Sequence, residues 1–486
     1  MQDATHTTSR PPIVVVLGHV DHGKSTLLDY IRKSNTVDKE AGGITQSIAA
    51  YEIEVLGKRI TFIDTPGHAA FAAMRKRGAS VADIAVLVIA ADDGVKPQTL
   101  EALAAIKETQ TPFIVAINKI DKPNANVERT KQTLAEADVF VEGYGGTVPV
   151  AEVSAKSGKG VEDLLALILL SAELEEFKAA PNRKAEGIVI EAHHAGKRGI
   201  VATLVIKDGT LHKGDYVAST SAYAPVRQLT DTLGSGLETA SFSTPVIVAD
   251  WNNAPIAGEM FASYESKREA EEFLKDVSRA RPVIVKKDVM LPILLKTDTF
   301  GMLEAIEGEL GKRESEKVGI TVVSAGIGTI TEGDVKFIQG AQSPIIIGFN
   351  VEVDRHAQDV IEKNAIHIEK FNIIYKLTEW LDAYIESVTP KEVTETVVGA
   401  AKILKIFSRT RDKQIVGGKV TDGKIEAGKK VRIMRREEQV ADGHILGLEK
   451  NRVEAREVES GDLFGASIDA KTAMAEGDVI EIISHD

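Results

Sequence analysis

The stretch Gly18-His-Val-Asp-His-Gly-Lys-Ser25 constrains this chain more than any other. It fits G-x-x-x-x-G-K-S/T and follows the apolar run Ile13 to Leu17, so a buried strand feeds a glycine-rich turn that opens onto a helix predicted over Thr26 to Arg32. Backbone N–H groups and the positive end of a helix then converge on one point, which suits a phosphate. Gly18 and Gly23 let the main chain close around the anion, Lys24 reaches the outer phosphates, and Ser25 offers its hydroxyl to magnesium. The run Gly18, His19, Val20, Asp21, His22, Gly23, Lys24, Ser25 and Thr26 is therefore assigned to nucleotide binding, with His19 and His22 read as packing the loop.

Many loops of this kind serve ATP, and two further stretches decide the base. Asn118-Lys119-Ile120-Asp121 ends the apolar run Phe113 to Ile117. Asp121 can accept from both the ring N–H and the exocyclic amine of guanine, and Asn118 can serve the other edge. Adenine lacks that donor pair, and losing charge-assisted bonds of about 1.5 to 3 kcal/mol each discriminates roughly tenfold to several-hundredfold per bond. Asp64-Thr65-Pro66-Gly67 follows Ile60 to Ile63; Asp64 can hold magnesium through water, and Gly67 can bring its N–H to the terminal phosphate. Ser154, Ala155 and Lys156, after another short strand, brace the base. These elements in this order specify GTP.

The chain of 486 residues is too long for one core and suits three to five domains. It has no cysteine, which excludes disulfides and thiolate metal sites and agrees with a reducing, cytoplasmic setting. No apolar run approaches the roughly 18 residues that span a bilayer, so no membrane partner is expected. A formal charge of −13 argues against indiscriminate adhesion to nucleic acid, while leaving room for a local basic face.

The predicted fold is multidomain: an α/β P-loop GTPase domain, a β-barrel, an α/β domain with a long connecting helix, and a C-terminal β-barrel. Residues 1–11 read as a disordered N-terminus, 12–172 as the GTPase domain and 173–185 as a linker. Within the first domain, Ile48 to Val55 and Arg59 to Ile63 form a hairpin through Leu56-Gly57-Lys58. Residues 186–264 are β-rich, 265–289 a charged helix (Glu265 to Ala280) and linker, and 290–370 alternate strand and helix without a phosphate loop. Over 371–390, Ile373, Leu377, Trp380, Leu381, Tyr384 and Val388 fall at helical spacing; seventeen residues at about 1.5 Å each reach about 25 Å, long enough for a strut between domains. Residues 391–486 form the last barrel. Asp208-Gly-Thr-Leu-His-Lys-Gly-Asp-Tyr-Val217 and Asp422-Gly-Lys-Ile-Glu-Ala-Gly-Lys-Lys-Val431 share D-G-x-L/I-x-x-G-x-x-V, which reads either as a repeated barrel or as common Asp-Gly turns. Lys402 to Arg436 holds 12 Lys+Arg against 3 Asp+Glu, or +9, and reads either as an RNA contact or as a solvated barrel face.

Gly18 to Ser25, Gly42-Gly-Ile-Thr-Gln46, Asp64-Thr-Pro-Gly-His68, Ala90-Ala-Asp-Asp-Gly94 and Asn118 to Asp121 resemble the translational GTPases. Ala41 to Gln46, the run His68 to Gly78, Thr331-Glu-Gly-Asp334 and Ile345 to Asn350 resemble the bacterial translation initiation factor two family within them, from Pro12 onward. The resemblance implies that Thr45 is the switch threonine, completing the magnesium site with Ser25 and Asp64 while GTP is bound. Gly42 and Gly43 give that loop freedom to collapse once the terminal phosphate leaves. It also implies that His68 orients the attacking water behind a gate of Val20 and Ile44, and that Asp21 helps to hold a monovalent cation. Arg75 and Arg77 are conceivable arginine fingers, although surface pairing or RNA contact suits them better; ribosomal RNA is expected to position His68 instead. The implied partners are both ribosomal subunits, formylmethionyl initiator tRNA held by the last barrel, and initiation factor one, with the chain a monomer.

Departures from the family pattern concentrate in that barrel. Gly418 and Phe464 stand where family members often carry cysteines in the formylmethionine pocket, so either a compensating pair reshapes the pocket or its ligand differs. Ser47 replaces a usual histidine, Asp250-Trp251 a glycine-leucine, and Phe300 a glutamine before Gly301. Two other functions therefore stay open: a ribosome-binding GTPase switch without initiator selectivity, and a GTP-regulated metabolic enzyme subunit.

Overall fold

The computed structural model describes residues 7–33, 45–274, 289–313, 318–341, 343–389, 395–410, 413–436 and 438–485. The chain divides into two units, Met1–Thr389 and Pro390–Asp486.

The first unit begins with a six-stranded sheet built from the apolar runs. Its strands are β1 (Ile13–Gly18), β2 (Ala49–Val55), β3 (Lys58–Asp64), β4 (Ile84–Ala90), β5 (Phe113–Asn118) and β6 (Val150–Glu152), in the order β2-β3-β1-β4-β5-β6. All pair in parallel except β2, which turns back on β3 through Leu56 and Gly57, both at positive φ as a two-residue hairpin requires. Every residue of β4 is buried because helices cover both faces. Helices α1 (Lys24–Arg32) and α5 (Val161–Glu175) pack one face through Leu27, Leu28, Leu164 and Ile168. Helices α2 (Ala72–Val81), α3 (Pro97–Thr109) and α4 (Val127–Glu136) pack the other through Met74, Ala102, Ile106 and Leu134.

The expectation of a disordered segment over residues 1–11 is corrected for 7–11; residues 1–6 lie outside the described residues. Thr8 and Ser9 pair antiparallel with Ala179 and Lys178. Arg10 stacks over Phe177 and binds both carboxylate oxygens of the buried Asp83. The segment read as a linker, 173–185, supplies the other half of this anchorage.

Next, eight antiparallel strands between Glu186 and Tyr264 form one sheet. Ala224, on one edge strand, and Leu237, on the other, pack into the same core with Leu204, Val246 and Phe261, so the sheet is rolled into a barrel. Helix α6 (Lys267–Leu274) follows; residues 275–280 of the predicted charged helix and Pro282 to Asp288 lie outside the described residues. A four-stranded parallel sheet comes after, ordered Val318–Ile327, Val289–Thr297, Ile345–Phe349, His367–Phe371. Helices α8 (Glu332–Ile338) and α9 (Arg355–Lys363) cover one face through Val335, Ile338 and Ile361. Helices α7 (Phe300–Lys312) and α10 (Ile374–Val388) cover the other.

Helix α10 ends where the first unit does. Ile374, Leu377 and Leu381 are buried in the core, and Trp380 stacks on His367 and Tyr384, so the apolar stripe is spent on packing along the helix. That core is continuous with the GTPase domain: Phe71 and Met74 join Met302, Leu303 and Ile306 of α7, and Ile188 and Ile190 of the barrel.

In the second unit, strands Glu395–Thr410, Val479–His485, Lys430–Arg435, Glu438–Lys450, Leu463–Ala470 and Lys413–Glu426 pair in that order, and the last pairs again with the first. This closes a six-stranded barrel around Ile403, Val416, Ile433 and Ile468.

Candidate nucleotide site

The loop after β1 depends on its two glycines. Gly18 and Gly23 adopt φ of 145° and 84°. A Cβ at Gly18 would meet the Val88 carbonyl oxygen, and one at Gly23 would lie 2.5 Å from the Asn118 amide nitrogen. Lys24 opens α1 and is buried; its ammonium donates to the His19 carbonyl at 2.7 Å. Burial lowers its pKa to about 8, against the opposing pull of Asp64. An ammonium short of solvent and partners is primed for an anion.

Around it lies a cavity of about 320 Å³ lined by Val20, Asp21, Gly23, Lys24, Ser25, Thr26, Thr45, Gly67, His68, Lys119 and Tyr375. The Ser25 and Thr45 hydroxyls are 2.8 Å apart. Asp64 ends β3 beside Val16 of β1. Gly67 approaches so closely that a Cβ there would lie 2.5 Å from Lys24 Nζ and 3.2 Å from the Val20 side chain. His68 accepts a hydrogen bond at Nδ1 from the Ala70 N–H, 3.0 Å away, capping the short helical turn Ala69–Phe71. Burial lowers its pKa, so the ring is neutral at pH 7, and with Nδ1 accepting the proton sits on Nε2. Ile44 lies outside the described residues, as do Gly42 and Gly43.

On the base side the structure separates two residues that the motif pairs. Asn118 is buried; its amide donates to the His22 carbonyl at 2.9 Å, and its oxygen accepts from the N–H groups of Lys119 and Ala155 at 2.7 and 3.0 Å. It therefore clips the phosphate loop to the strand ends bearing Lys119 and Ser154. Asp121 instead is exposed, held below the usual carboxylate range first by the Ser154 hydroxyl at 2.7 Å, with Lys156 adding to the effect. The Lys119 ammonium covers the Asp21 carbonyl.

His22 is buried, edge-on to His19 and 3.4 Å from Asp93; burial takes its pKa down to about 4. His19, His22 and Asp93 together could chelate a cation. Asp93 is already engaged by Lys96 at 2.7 Å, however, and the Lys24 and Lys96 charges oppose a further cation there.

Three contributors carry no signal in the local sequence. Gln98 of α3 accepts from the Val20 N–H at 3.0 Å. Tyr375 of α10 lines the cavity. Arg75, read above as a finger or a surface side chain, is among the most buried residues; it donates to the Gly67 and His68 carbonyls and pairs with Glu101. It holds the loop from behind and is not poised at the phosphates. Arg77 is likewise buried and pairs with Glu304 of α7, which corrects the reading of surface or RNA contact for both.

Phosphate loop, switch residues and guanine-side loop on this sheet define a GTP-binding domain of the translational type. The family model for the Elongation factor Tu GTP binding domain matches residues 9–173, that for Elongation factor G domain 2 matches 184–264, and that for Translation-initiation factor 2 matches 263–382. Translation initiation factor IF-2 of Bartonella bacilliformis is 42% identical over 99% of this chain and 59% of its own length. The same factor of Anoxybacillus flavithermus is 42% identical over 97% of this chain and 68% of its own length. A crystal structure of GDP-bound aIF5B from Aeropyrum pernix is 28% identical over 98% of this chain and 92% of that one, with a TM-score of 0.49. The chain belongs to the translation initiation factor IF-2 family, and it spans about three-fifths of the length of the Bartonella relative. Membership displaces the metabolic-subunit reading, since the matched region 263–382 has no place in it. Among the described residues, no helix is long and apolar enough to cross a membrane.

Proposed function

We propose that the chain is a GTP-operated initiation factor that places formylmethionyl initiator tRNA on the small ribosomal subunit and promotes joining of the large one, hydrolysing GTP to GDP and phosphate under ribosomal stimulation. The observation that carries this reading is the convergence of Lys24, the Ser25–Thr45 hydroxyl pair, Gly67 and His68 on one cavity. The proposed setting is cytoplasmic and the proposed state a monomer, with both ribosomal subunits and initiation factor one as further partners. The domain division stated above is proposed with it, except that residues 7–11 pack on residues 177–179 and belong to the folded first unit.

The desolvated Lys24 ammonium binds the outer phosphates, and the Gly67 N–H takes the terminal one. The Ser25 and Thr45 hydroxyls and the Asp64 carboxylate are hard oxygen donors that fit magnesium, an ion that supplies charge neutralisation across the phosphates when bound. Any monovalent cation at Asp21 has to use its carboxylate, because Lys119 occupies the carbonyl. Since Nδ1 of His68 is occupied by the Ala70 N–H, the ring offers Nε2–H to the attacking water; it orients the nucleophile and does not take its proton. Val20 and Ile44 are proposed to shield this arrangement from bulk water. Asn118, Lys119 and Asp121 form the guanine side, with Ser154, Ala155 and Lys156 behind them.

His68→Ala is expected to leave GTP affinity within about twofold while ribosome-stimulated turnover falls by about a hundredfold or more. Equal loss of binding and turnover would remove His68 from the reaction.

A ribosome-binding switch without initiator selectivity is the second reading, and one observation favours it. Gly418 and Phe464 are paired on adjacent antiparallel strands of the barrel, and a Cβ at 418 would lie 2.7 Å from the Phe464 ring. The ring thus fills space that a side chain at 418 would take. Binding of formylated and unformylated initiator tRNA separates the two readings.

A further inference from the structure

The first turn of α10 closes the nucleotide cavity from the side of the α/β domain, and no role given above uses it. Tyr375 sets its ring 4.4 Å from that of His68, at 89°, edge to face. It lines the same cavity as Lys24 and Ser25. Asp21 of the phosphate loop lies close enough to act on the phenol electrostatically.

One residue earlier, the Ile374 N–H donates to the Gln46 side-chain oxygen at 3.2 Å, and the Gln46 amide donates to the Asn372 carbonyl at 3.1 Å. The N-cap residue Ile373 provides no side-chain cap of its own, so Gln46 caps the helix from another domain. Gln46 adjoins Thr45. The segment carrying Thr45 and the segment carrying His68 therefore both end on one helical turn. Ile374, Leu377 and Leu381 bury the same helix in the core, so that turn is a fixed point against which both segments are held.

The Ala70 bond pins the His68 ring at one nitrogen only, which leaves rotation about that contact. A second contact on the ring is needed to fix its plane, and Tyr375 is closer than Phe71, whose centroid is 5.9 Å away. We propose that Tyr375 is a positioning residue for GTP hydrolysis, its aromatic ring holding the His68 imidazole at the wall of the nucleotide cavity. This rests on the reading of His68 as the residue that orients water.

The test uses the full chain with isolated ribosomes, comparing Tyr375→Phe, Tyr375→Ala and His68→Ala. Tyr375→Leu replaces the Ala variant if that one does not fold. Loss of the ring is expected to lower stimulated kcat by about tenfold to a hundredfold, the scale of a roughly 1 Å misplacement, with KM for GTP changed less than about twofold. Tyr375→Phe is expected to retain both values, because the ring makes the contact. The His68 ring-proton NMR resonances should shift in the Ala or Leu variant and stay in place in the Phe variant. Full stimulated kcat and unmoved His68 resonances without the ring overturn the proposal, as does a Phe variant as slow as Ala. Stimulated hydrolysis surviving in His68→Ala sinks the reading of His68 and the positioning role together. Its loss there, with full activity in Tyr375→Ala, sinks the Tyr375 proposal alone.

Discussion

Asp121 and Asn118 sit in one four-residue motif, yet the Asp121 carboxylate is exposed, whereas the Asn118 amide is bonded to His22, Lys119 and Ala155. Asp121→Asn is expected to weaken GTP binding by tenfold or more, the order set by one charge-assisted bond of about 1.5 to 3 kcal/mol, while ATP binding stays where it was. Titration with both nucleotides checks this, and unchanged selectivity would take Asp121 out of the base site. Gly418 and Phe464 make a second residue-scale case. Gly418→Ala drives a methyl into the Lys402 carbonyl and the Phe464 ring and should cost about 1 to 3 kcal/mol. Phe464→Ala empties core space and should cost about 3 to 5 kcal/mol. In the double variant the two costs should fall short of their sum, because the small side chain at 464 removes one of the two clashes. Denaturant midpoints of all three variants measure the coupling, and strict additivity would mean the pair is independent.

Elements whose cause is local were legible in the sequence, and those whose cause is a distant partner were not. The D-G-x-L/I-x-x-G-x-x-V echo resolves position by position: Gly209 and Gly423, then Gly214 and Gly428, take positive φ, while Leu211, Ile425, Val217 and Val431 are fully buried. The edge strand His367–Phe371 was missed because three of its five residues are polar or charged; parallel pairing with Ile345–Phe349 makes it a strand. In the site, Lys24 and Ser25 were legible from spacing, but Gln98, Arg75 and Tyr375 act on partners that only the tertiary fold brings near. Glu191 belongs to the same kind of junction. Its strand meets the start of α7, where the carboxylate accepts from the Gly301 N–H at 3.1 Å, and a Cβ at Gly301 would meet both that carboxylate and Met74 of α2. Burial raises its pKa to about 7, with the Gly301 and Ala192 N–H groups and Arg77 pulling it down and Asp298 pushing it up. A carboxyl whose folded pKa exceeds its unfolded value binds more protons when folded. Stability should therefore decline as pH rises from about 4.5 to about 7. Glu191→Gln keeps an acceptor for Gly301 and cannot ionise. It should flatten that decline and be at least as stable as the parent at pH 8, as read by thermal melts across the range.

At the scale of the whole molecule, a net charge of −13 coexists with the basic stretch Lys402 to Arg436, and the ion pairs decide how much of that basic charge is available. Lys424 is held by Glu426 and Glu457, and Arg435 by the buried Asp478, so these two charges are largely cancelled within the barrel. Lys402, Lys405, Lys413 and Lys419 are exposed on strands that pair with one another. If these four carry the phosphate contacts, the logarithm of tRNA affinity should fall against the logarithm of salt with a slope of about −2.8 to −3.6, at roughly 0.7 to 0.9 per contact. Lys402→Ala and Lys419→Ala should each reduce that slope by nearly one, and Lys424→Ala should leave it almost unchanged. Formylation turns the α-ammonium of the aminoacyl end into a neutral amide, so the part of any preference that comes from repulsion of that ammonium by the basic stretch should fade with salt, and only a preference that persists at high salt reports contacts to the formyl group itself. A salt-independent preference in the full chain places selectivity in the apolar surroundings of Phe464. Equal affinities that fade together with salt leave phosphate attraction alone, and the molecule is then a ribosomal switch whose cargo is chosen elsewhere.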